Sequence, residues 1–104
     1  MDYNVLITAD AEEDLNGFIK YLLFEKKSDQ AAKNLLNDFD ATVEKLKVVA
    51  GSLKLCDNPR LKALGYKRIN FQTHRYFMMY RIEGRDVYVD NIFHELQDYE
   101  SKMN

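Results

Sequence analysis

Side chains that could act on a phosphodiester are concentrated in the last third of the chain, over residues 65–99. Arginine can bind phosphate through two parallel hydrogen bonds, and histidine titrates near neutral pH, so it can transfer protons. Tyrosine and phenylalanine rings can stack on an unpaired base. Metal-free RNA cleavage needs a base, an acid and cations around the phosphate, and these residue types could supply all three.

The candidate site residues lie on predicted strands, in the basic loop before them and near the C-terminus. The candidates for catalysis are His94, Arg75, Arg68, Lys67 and Tyr99, and the candidates for substrate binding are Lys54, Lys62, Tyr66, Asn70 and Phe77. The spacing of His and Cys residues does not match a metal site, so we expect neither a metal nor another cofactor. The single cysteine, Cys56, is expected to be a core or surface thiol.

Charge is distributed unevenly along the 104 residues. Residues 54–85 contain eight Lys or Arg and two Asp or Glu, whereas the segments on either side are acidic. Such a basic segment favours a phosphate or an acidic partner, and pairing with the acidic flanks would also explain it. The sequence has no apolar run that could span a membrane and no secretion signal, so we expect a cytoplasmic protein without a membrane partner.

Hydrophobic periodicity predicts one α+β domain over residues 1–104, with the element order β-α-α-β-β-β and a short C-terminal tail or helix. The predicted elements are a strand over 1–8, helices over 9–25 and 29–50, an irregular segment over 52–64, and strands over 66–71, 75–82 and 86–93. We expect Thr8 to cap the first helix and Ser28 or Asp29 to cap the second. Gly51 is expected to end the second helix in the left-handed conformation.

The predicted turn at Gly84 and Arg85 sets the register of the last two strands, because a two-residue turn pairs Ile82 with Val87. Alternation then predicts which side chains face the helices. These are Tyr76, Met78, Tyr80 and Ile82 on one strand and Val87, Val89, Asn91 and Phe93 on the next. The other face of the sheet would remain open to a ligand.

Continuing this ladder places catalytic candidates side by side on the open face. Arg75 lies opposite His94, and the preceding hairpin adds Asn70 beside Arg75, so we expect these three residues in one row. The next row along would contain Arg68, Phe77 and Ile92. His74, in the turn of that hairpin, is expected to lie at the surface.

Three stretches of the sequence resemble the RelE/ParE superfamily of bacterial type II toxins: ITADAEEDL, KALGYKRI and YRIEGRDVYVDNIFHELQDYE. The order of elements is also similar, and the resemblance covers nearly the whole chain. It implies a small toxin that arrests growth and is neutralised by a cognate antitoxin, a segment of which wraps the toxin. RelE-like members cleave mRNA on the ribosome without a metal, and ParE-like members poison DNA gyrase.

The resemblance also implies basic residues on the second and third strands and a His or Arg and a Tyr near the C-terminus. Lys67, Arg68, Arg75, His94 and Tyr99 occupy comparable regions. The best-known RelE pattern has a second lysine and an arginine where this chain has Ile69 and Phe77. Our first hypothesis is ribosome-dependent mRNA cleavage by acid–base chemistry, with the ribosome, mRNA and an antitoxin as partners. The alternatives are a non-enzymatic inhibitor of DNA gyrase and a degenerate toxin that only binds its antitoxin.

The antitoxin is also the expected cover for apolar side chains on the open face. Those side chains are Phe77, Met79 and Ile92. Docking of an antitoxin segment there would block the site directly.

Overall fold

A computed structural model describes residues 2–73 and 75–103 of the chain, so predictions for Met1, His74 and Asn104 lie outside the described residues. The strands are β1 (Asn4–Ile7), β2 (Lys67–Asn70), β3 (Tyr76–Glu83) and β4 (Asp86–His94). The α-helices are α1 (Ala9–Lys20), α2 (Asp29–Val49), α3 (Pro59–Ala63) and α4 (Tyr99–Lys102). The predicted α+β class and the order of the main elements are confirmed.

The four strands form one mixed sheet in the order β1-β4-β3-β2, in which only the β1–β4 pair is parallel among the described strands. The helical hairpin of α1 and α2 covers one face of this sheet. Their shared core, called here the helix-side core, consists of Ala11, Leu15, Leu35, Leu46, Ala50, Ile69, Phe71, Met78, Tyr80, Val87, Val89 and Ile92. Among the described residues, no helix is both long and apolar enough to cross a membrane.

The start of each long helix follows the predicted capping. The Thr8 side chain accepts a hydrogen bond from the Ala11 N–H, and the Ser28 side chain accepts one from the Ala31 N–H. Each bond satisfies a backbone donor that the first turn of a helix leaves unpaired. After α1, the chain continues as a π-helical turn over Tyr21–Glu25, so the helical segment ends where the sequence predicts.

The prediction for Gly51 is wrong, because this residue lies in a 3₁₀ turn over Ala50–Ser52 and not in the left-handed region. Its lack of a side chain has another cause. A Cβ atom at Gly51 would overlap the hydroxyl group of Tyr3, which packs against the end of α2. Glycine is therefore needed at this position because the Tyr3 side chain approaches closely, and not because the backbone has an unusual φ angle.

The segment predicted to be irregular, residues 52–64, contains the short helix α3. The Asn58 side chain accepts hydrogen bonds from the N–H groups of Arg60 and Leu61, and Pro59 occupies the first helical position. Proline suits that position because its missing N–H would be unpaired there. The Asn-Pro pair thus begins a helix and places Leu61 in a fully buried position.

The β3–β4 ladder keeps the predicted register for only part of its length. Ile82 pairs with Val87 as predicted, and Gly84 provides the turn with a φ of 64°. The register then shifts by one residue, because β4 has a bulge at Asp90. A bulge adds one unpaired residue and reverses the parity of the strand beyond it.

The reversed parity exchanges the faces of the last residues of β4. Ile92 joins the helix-side core, whereas Phe93 lies on the opposite face of the sheet, so the predicted orientations of these two residues are wrong. Asn91 pairs with Met79 and is likewise displaced from its predicted face.

The face of the sheet away from the long helices is not open as predicted. Phe77 is 1% exposed and Met79 is fully buried, because α3 and the C-terminal segment cover them. This second cluster consists of Cys56, Leu61, Phe77, Met79, Phe93 and Met103, with Tyr66 and Tyr99 packed at its edge. The chain itself therefore buries the side chains that were expected to need an antitoxin as cover.

Candidate binding groove

The predicted row of Asn70, Arg75 and His94 does not form. His94 pairs with Tyr76, since the bulge in β4 moves it by one position relative to β3. Asn70 pairs with Phe77, because the loop that joins the paired residues Phe71 and Tyr76 is four residues long. The expectation that Arg75 and Asn70 are neighbours on one face is therefore wrong.

His94 lies against Tyr76 on the face of the sheet that carries the long helices. The two rings are perpendicular, with their centroids 5.1 Å apart, and Phe18 of α1 contacts the other side of Tyr76 at 5.0 Å. The His94 Nδ1 atom accepts a hydrogen bond from the Leu96 N–H at 3.2 Å. His94 is thus held by packing and by the turn that follows β4.

Arg75 and Lys67 also lie on the helix side. Burial raises the pKa of the Tyr76 phenol, and the nearby Arg75 guanidinium opposes that increase. Arg75 borders a cavity of about 210 Å³ between the β2–β3 loop and α2. Lys67 pairs with Tyr80, and its Nζ atom donates a hydrogen bond to the Leu53 carbonyl.

Arg68, Phe77 and Tyr99 form a stack on the opposite face, although Arg68 pairs with Met79 and not with Phe77 as the predicted row requires. The Arg68 guanidinium lies 3.7 Å from the centre of the Phe77 ring and 5.9 Å from that of Tyr99. Its Nε atom donates to the Asn70 side-chain oxygen at 2.9 Å. Stacking and this bond hold the guanidinium in one orientation, with its terminal nitrogens available to a ligand.

This stack borders a groove of about 530 Å³ between the edge of β2 and the segment 53–57. The groove is lined by Lys45, Leu53, Lys54, Leu55, Cys56, Asp57, Arg68, Ile69, Asn70 and Tyr99. We call it the binding groove. Burial raises the pKa of the Cys56 thiol, with the Arg68 charge acting in the opposite direction. A raised pKa keeps this sulfur protonated at neutral pH, so it is a poor nucleophile.

Two predicted substrate-binding residues do not line the groove. Lys62 is exposed on α3. The Tyr66 hydroxyl donates a hydrogen bond to the Asp90 carboxylate at 2.7 Å and borders a separate cavity of about 430 Å³. Of the candidates from the sequence, the groove brings together Lys54, Arg68, Asn70 and Tyr99, with Phe77 beneath the guanidinium.

The sequence prediction gave no role to the carboxylate of Asp90. This bulged residue also accepts a hydrogen bond from Arg81 Nε at 2.8 Å, and Arg81 forms a second ion pair with Glu83 at 3.0 Å. Burial, reinforced by the hydrogen bond to Asp90, raises the pKa of the Tyr66 phenol. The signal in the sequence was an acidic residue between the apolar residues Val89 and Ile92 of the strand.

A helical hairpin packed on a mixed four-stranded sheet, with a basic groove at the β2 edge, places the protein in the RelE/ParE class of small toxins. The family described as the ParE toxin of the type II toxin–antitoxin system, parDE, matches residues 5–99, and the chain belongs to this family. An antitoxin partner follows from that membership.

A solved structure supports the same fold. It is titled "Chromosomal ParDE TA system from P. aeruginosa" and superimposes with a TM-score of 0.69 at 17% sequence identity. The match covers 88% of this chain and 95% of that chain. No curated protein matches the sequence.

Proposed function

We propose that the protein is a toxin that inhibits DNA gyrase by binding it, without an enzymatic step. The observation that carries this proposal is the separation of the residues once expected to act together. His94, Arg75 and Lys67 lie on the helix side of the sheet, whereas Arg68 and Tyr99 lie on the opposite face. Acid–base cleavage needs its proton-transfer group within hydrogen-bond reach of the phosphodiester that the cation holds.

Membership of the ParE family supports the same target, since ParE-family toxins commonly target gyrase. Gyrase acts on chromosomal and plasmid DNA in the cytoplasm, so we place the toxin there as well. An antitoxin encoded beside the toxin would neutralise it.

Ribosome-dependent mRNA cleavage is the second candidate, and one observation favours it. The stack of Arg68 on Phe77, bordered by Tyr99, offers a cation and an aromatic ring in the same groove. Such a pair could bind a phosphate and an adjacent base. In that case Tyr99, and not His94, would be the nearest group able to transfer a proton.

Gyrase inhibition and mRNA cleavage differ in which nucleic acid is damaged after the toxin is induced. A gyrase poison should produce double-strand DNA breaks in cells and inhibit supercoiling by purified gyrase, with mRNA intact in primer-extension assays. Co-expression of the product of the neighbouring reading frame is the control. Cuts within translated codons, with gyrase unaffected, would overturn the proposal. Normal growth in the presence of soluble toxin would support the degenerate alternative.

A further inference from the structure

One side of α1 points away from the helix-side core and carries opposite charges at its two ends. At about 100° per residue, this side lies opposite the buried residues Ala11 and Leu15. It consists of Ala9, Glu13, Asn16, Gly17 and Lys20 of α1, followed by Phe24 in the π-helical turn, and all of them are exposed. We call it the α1 face. Glu13 lies toward its N-terminal end and Lys20 toward its C-terminal end.

Glu13 and Lys20 are charges without a partner among the described residues. No residue of opposite charge lies three or four positions from either one, and these are the spacings at which helical side chains meet. In the part of the chain that the structure describes, neither side chain forms an ion pair. Both charges are therefore available to another molecule.

The charges around these two residues have the same arrangement. Residues 9–13 contain three acidic residues and no basic one, whereas residues 20–27 contain three lysines and one glutamate. A ligand of a single charge sign would be attracted by one end of this surface and repelled by the other. The surface therefore fits a partner that carries both signs in the reverse order.

Phe24 and Gly17 are two further features of the α1 face that packing within the chain does not explain. Phe24 is 70% exposed, beside Tyr21 at 49% in the same π-helical turn. Gly17 lies in the interior of α1, where glycine is less favourable than alanine, and a Cβ atom there would meet no described atom within 4 Å. A glycine at this point lets a second helix approach the backbone of α1 closely.

A second copy of α1 in the antiparallel direction provides the reverse order of charges. If a twofold axis passes between Asn16 and Gly17, then Glu13 and Lys20 lie equally far from it, at about 5 Å along the helix. Each Glu13 then faces Lys20 of the second copy, so the interface contains two equivalent ion pairs. A twofold interface requires such a self-complementary patch, because the same surface of both copies is in contact.

We propose that the protein forms a twofold homodimer in which the α1 faces of two copies pack antiparallel and cross at Gly17. Phe24 lies nearly as far from the twofold axis as Ala9, so the exposed ring contacts a small residue of the second copy. α1 has 12 residues and is about 18 Å long, so the dimer buries less than the roughly 1,600 Å² of a stable complex. We therefore expect weak association, with a dissociation constant of about 10–100 µM.

The homodimer leaves the binding groove accessible, because none of the described residues that line this groove belongs to α1. A dimer would present two such grooves, which strengthens binding to any target that offers two sites. The proposal does not depend on gyrase being that target.

Sedimentation velocity of the purified toxin over a range of concentrations tests the proposal. We expect the sedimentation coefficient to rise from the monomer value toward the dimer value as the concentration passes about 10–100 µM. High salt should weaken the dimer, because it screens exposed ion pairs. A monomer at all concentrations up to about 1 mM would overturn the proposal.

Charge reversal tests whether the α1 face is the interface. Glu13→Lys and Lys20→Glu each turn two attractions into two repulsions, so each variant should dimerise about tenfold more weakly or worse. An equimolar mixture of the two variants should recover the dimer, because every contact then joins a lysine to a glutamate. Asp40→Lys, at an exposed carboxylate of α2, is the matched control and should not change dimerisation. If the mixture associates no better than either variant alone, the proposed pairing is wrong.

The centre of the interface is tested by Gly17→Leu, which places a bulky side chain where the helices cross. It should weaken dimerisation about tenfold or more. Leucine is also the better helix former, so the thermal unfolding midpoint of the dilute monomer should rise. These opposite directions distinguish a blocked interface from a damaged fold, and an unchanged dimer would contradict the crossing at Gly17.

Phe24→Ser tests the apolar contact and should also weaken the dimer. The matched control is Leu96→Ser, because Leu96 is 85% exposed and lies outside α1, and this change should have no effect on association. Equal effects of the two changes would count against a contact at Phe24.

The position of the interface is measured by ¹⁵N NMR during dilution. The amide resonances of Gly17 and Lys20 should shift, and that of Arg68 should not. Shifts confined to Arg68 and its neighbours would place the contact elsewhere and overturn the proposal. A toxin that stays monomeric alone, but whose Gly17 resonance shifts when the antitoxin is added, would assign the α1 face to the antitoxin and overturn it as well.

Discussion

The carboxylate of Asp14 in α1 accepts a hydrogen bond from the backbone N–H of Ile92 in β4 at 3.0 Å. The same oxygen accepts a bond from the Asn91 side chain at 3.2 Å, and Thr8 donates to the Val89 carbonyl at 2.9 Å. These bonds hold the β4 bulge on both sides of its extra residue. Because the bulge decides which face His94 occupies, a contact in the first helix determines the layout of the candidate site.

Replacement of Asp14 by alanine should destabilise the protein. The change leaves the buried Ile92 N–H without its partner, which costs about 1–3 kcal/mol. Urea denaturation at neutral pH measures the loss. Glu13→Ala is the matched control, since Glu13 is an exposed carboxylate on the same helix, and its effect should stay within about 0.5 kcal/mol. Equal effects of the two changes would contradict a special role for the Asp14 bond.

Asp38 provides the corresponding anchor at the other end of the sheet. Its side chain is buried within α2 and accepts hydrogen bonds from the N–H groups of Gln72 and Thr73 and from the Thr73 hydroxyl. Asp38→Ala should cost about 2–4 kcal/mol, because bonds to a charged acceptor are stronger than neutral ones. It should also speed amide hydrogen exchange at Gln72. Asp40→Ala, at an exposed carboxylate of α2, should do neither.

Tyr80 should make stability depend on alkaline pH. Its phenol is fully buried and donates to the Ala50 carbonyl at 2.8 Å, and this burial strongly raises its pKa above the ordinary value of 10.0. The group is neutral when protonated, so its contribution is complete below the unfolded-state pKa and is lost as the pH rises beyond about 10.

The Tyr80→Phe variant tests this dependence. It should cost about 1 kcal/mol at pH 7, through loss of one hydrogen bond. Its free energy of unfolding should then fall less steeply than that of the wild type above about pH 10, so the two curves converge. Tyr21→Phe, at an exposed tyrosine, is the control for removal of one phenol. Parallel curves for the wild type and Tyr80→Phe would contradict the prediction.

The features that the sequence predicts correctly are those set by nearby residues. The Thr8 and Ser28 caps bond to N–H groups three residues ahead, and Ile82 pairs with Val87 across a short turn. The bulge at β4 depends instead on Asp14, which lies 78 residues from Ile92 in the chain. The alternation of residues within β4 carries no sign of that contact. The prediction of which face each side chain occupies therefore fails beyond Val89.

Burial of the sheet face away from the long helices could not be predicted from the sequence for a related reason. The helices that cover it, α3 and α4, are five and four residues long and too short to show a hydrophobic period. They are tied together by a bond from the Arg60 guanidinium to the Glu100 carbonyl at 2.8 Å. These segments cover Phe77, and Tyr99 of α4 also lines the binding groove beside Arg68.

The role of His94 gives the sharpest functional prediction. His94→Phe keeps a ring against Tyr76 and removes the titratable group, so a toxin that acts by binding should still arrest growth. Arg68→Glu reverses the charge of the binding groove and should weaken whichever interaction uses that groove, with the fold monitored by circular dichroism.

Growth after induction, compared at equal soluble protein levels, measures the effect of each variant. If His94→Phe abolishes growth arrest while the protein remains folded and still binds its antitoxin, the imidazole itself is required. That result would favour proton transfer, since phenylalanine retains the packing but cannot exchange a proton. If His94→Phe still arrests growth, the role of His94 is structural, through its contact with the Tyr76 ring.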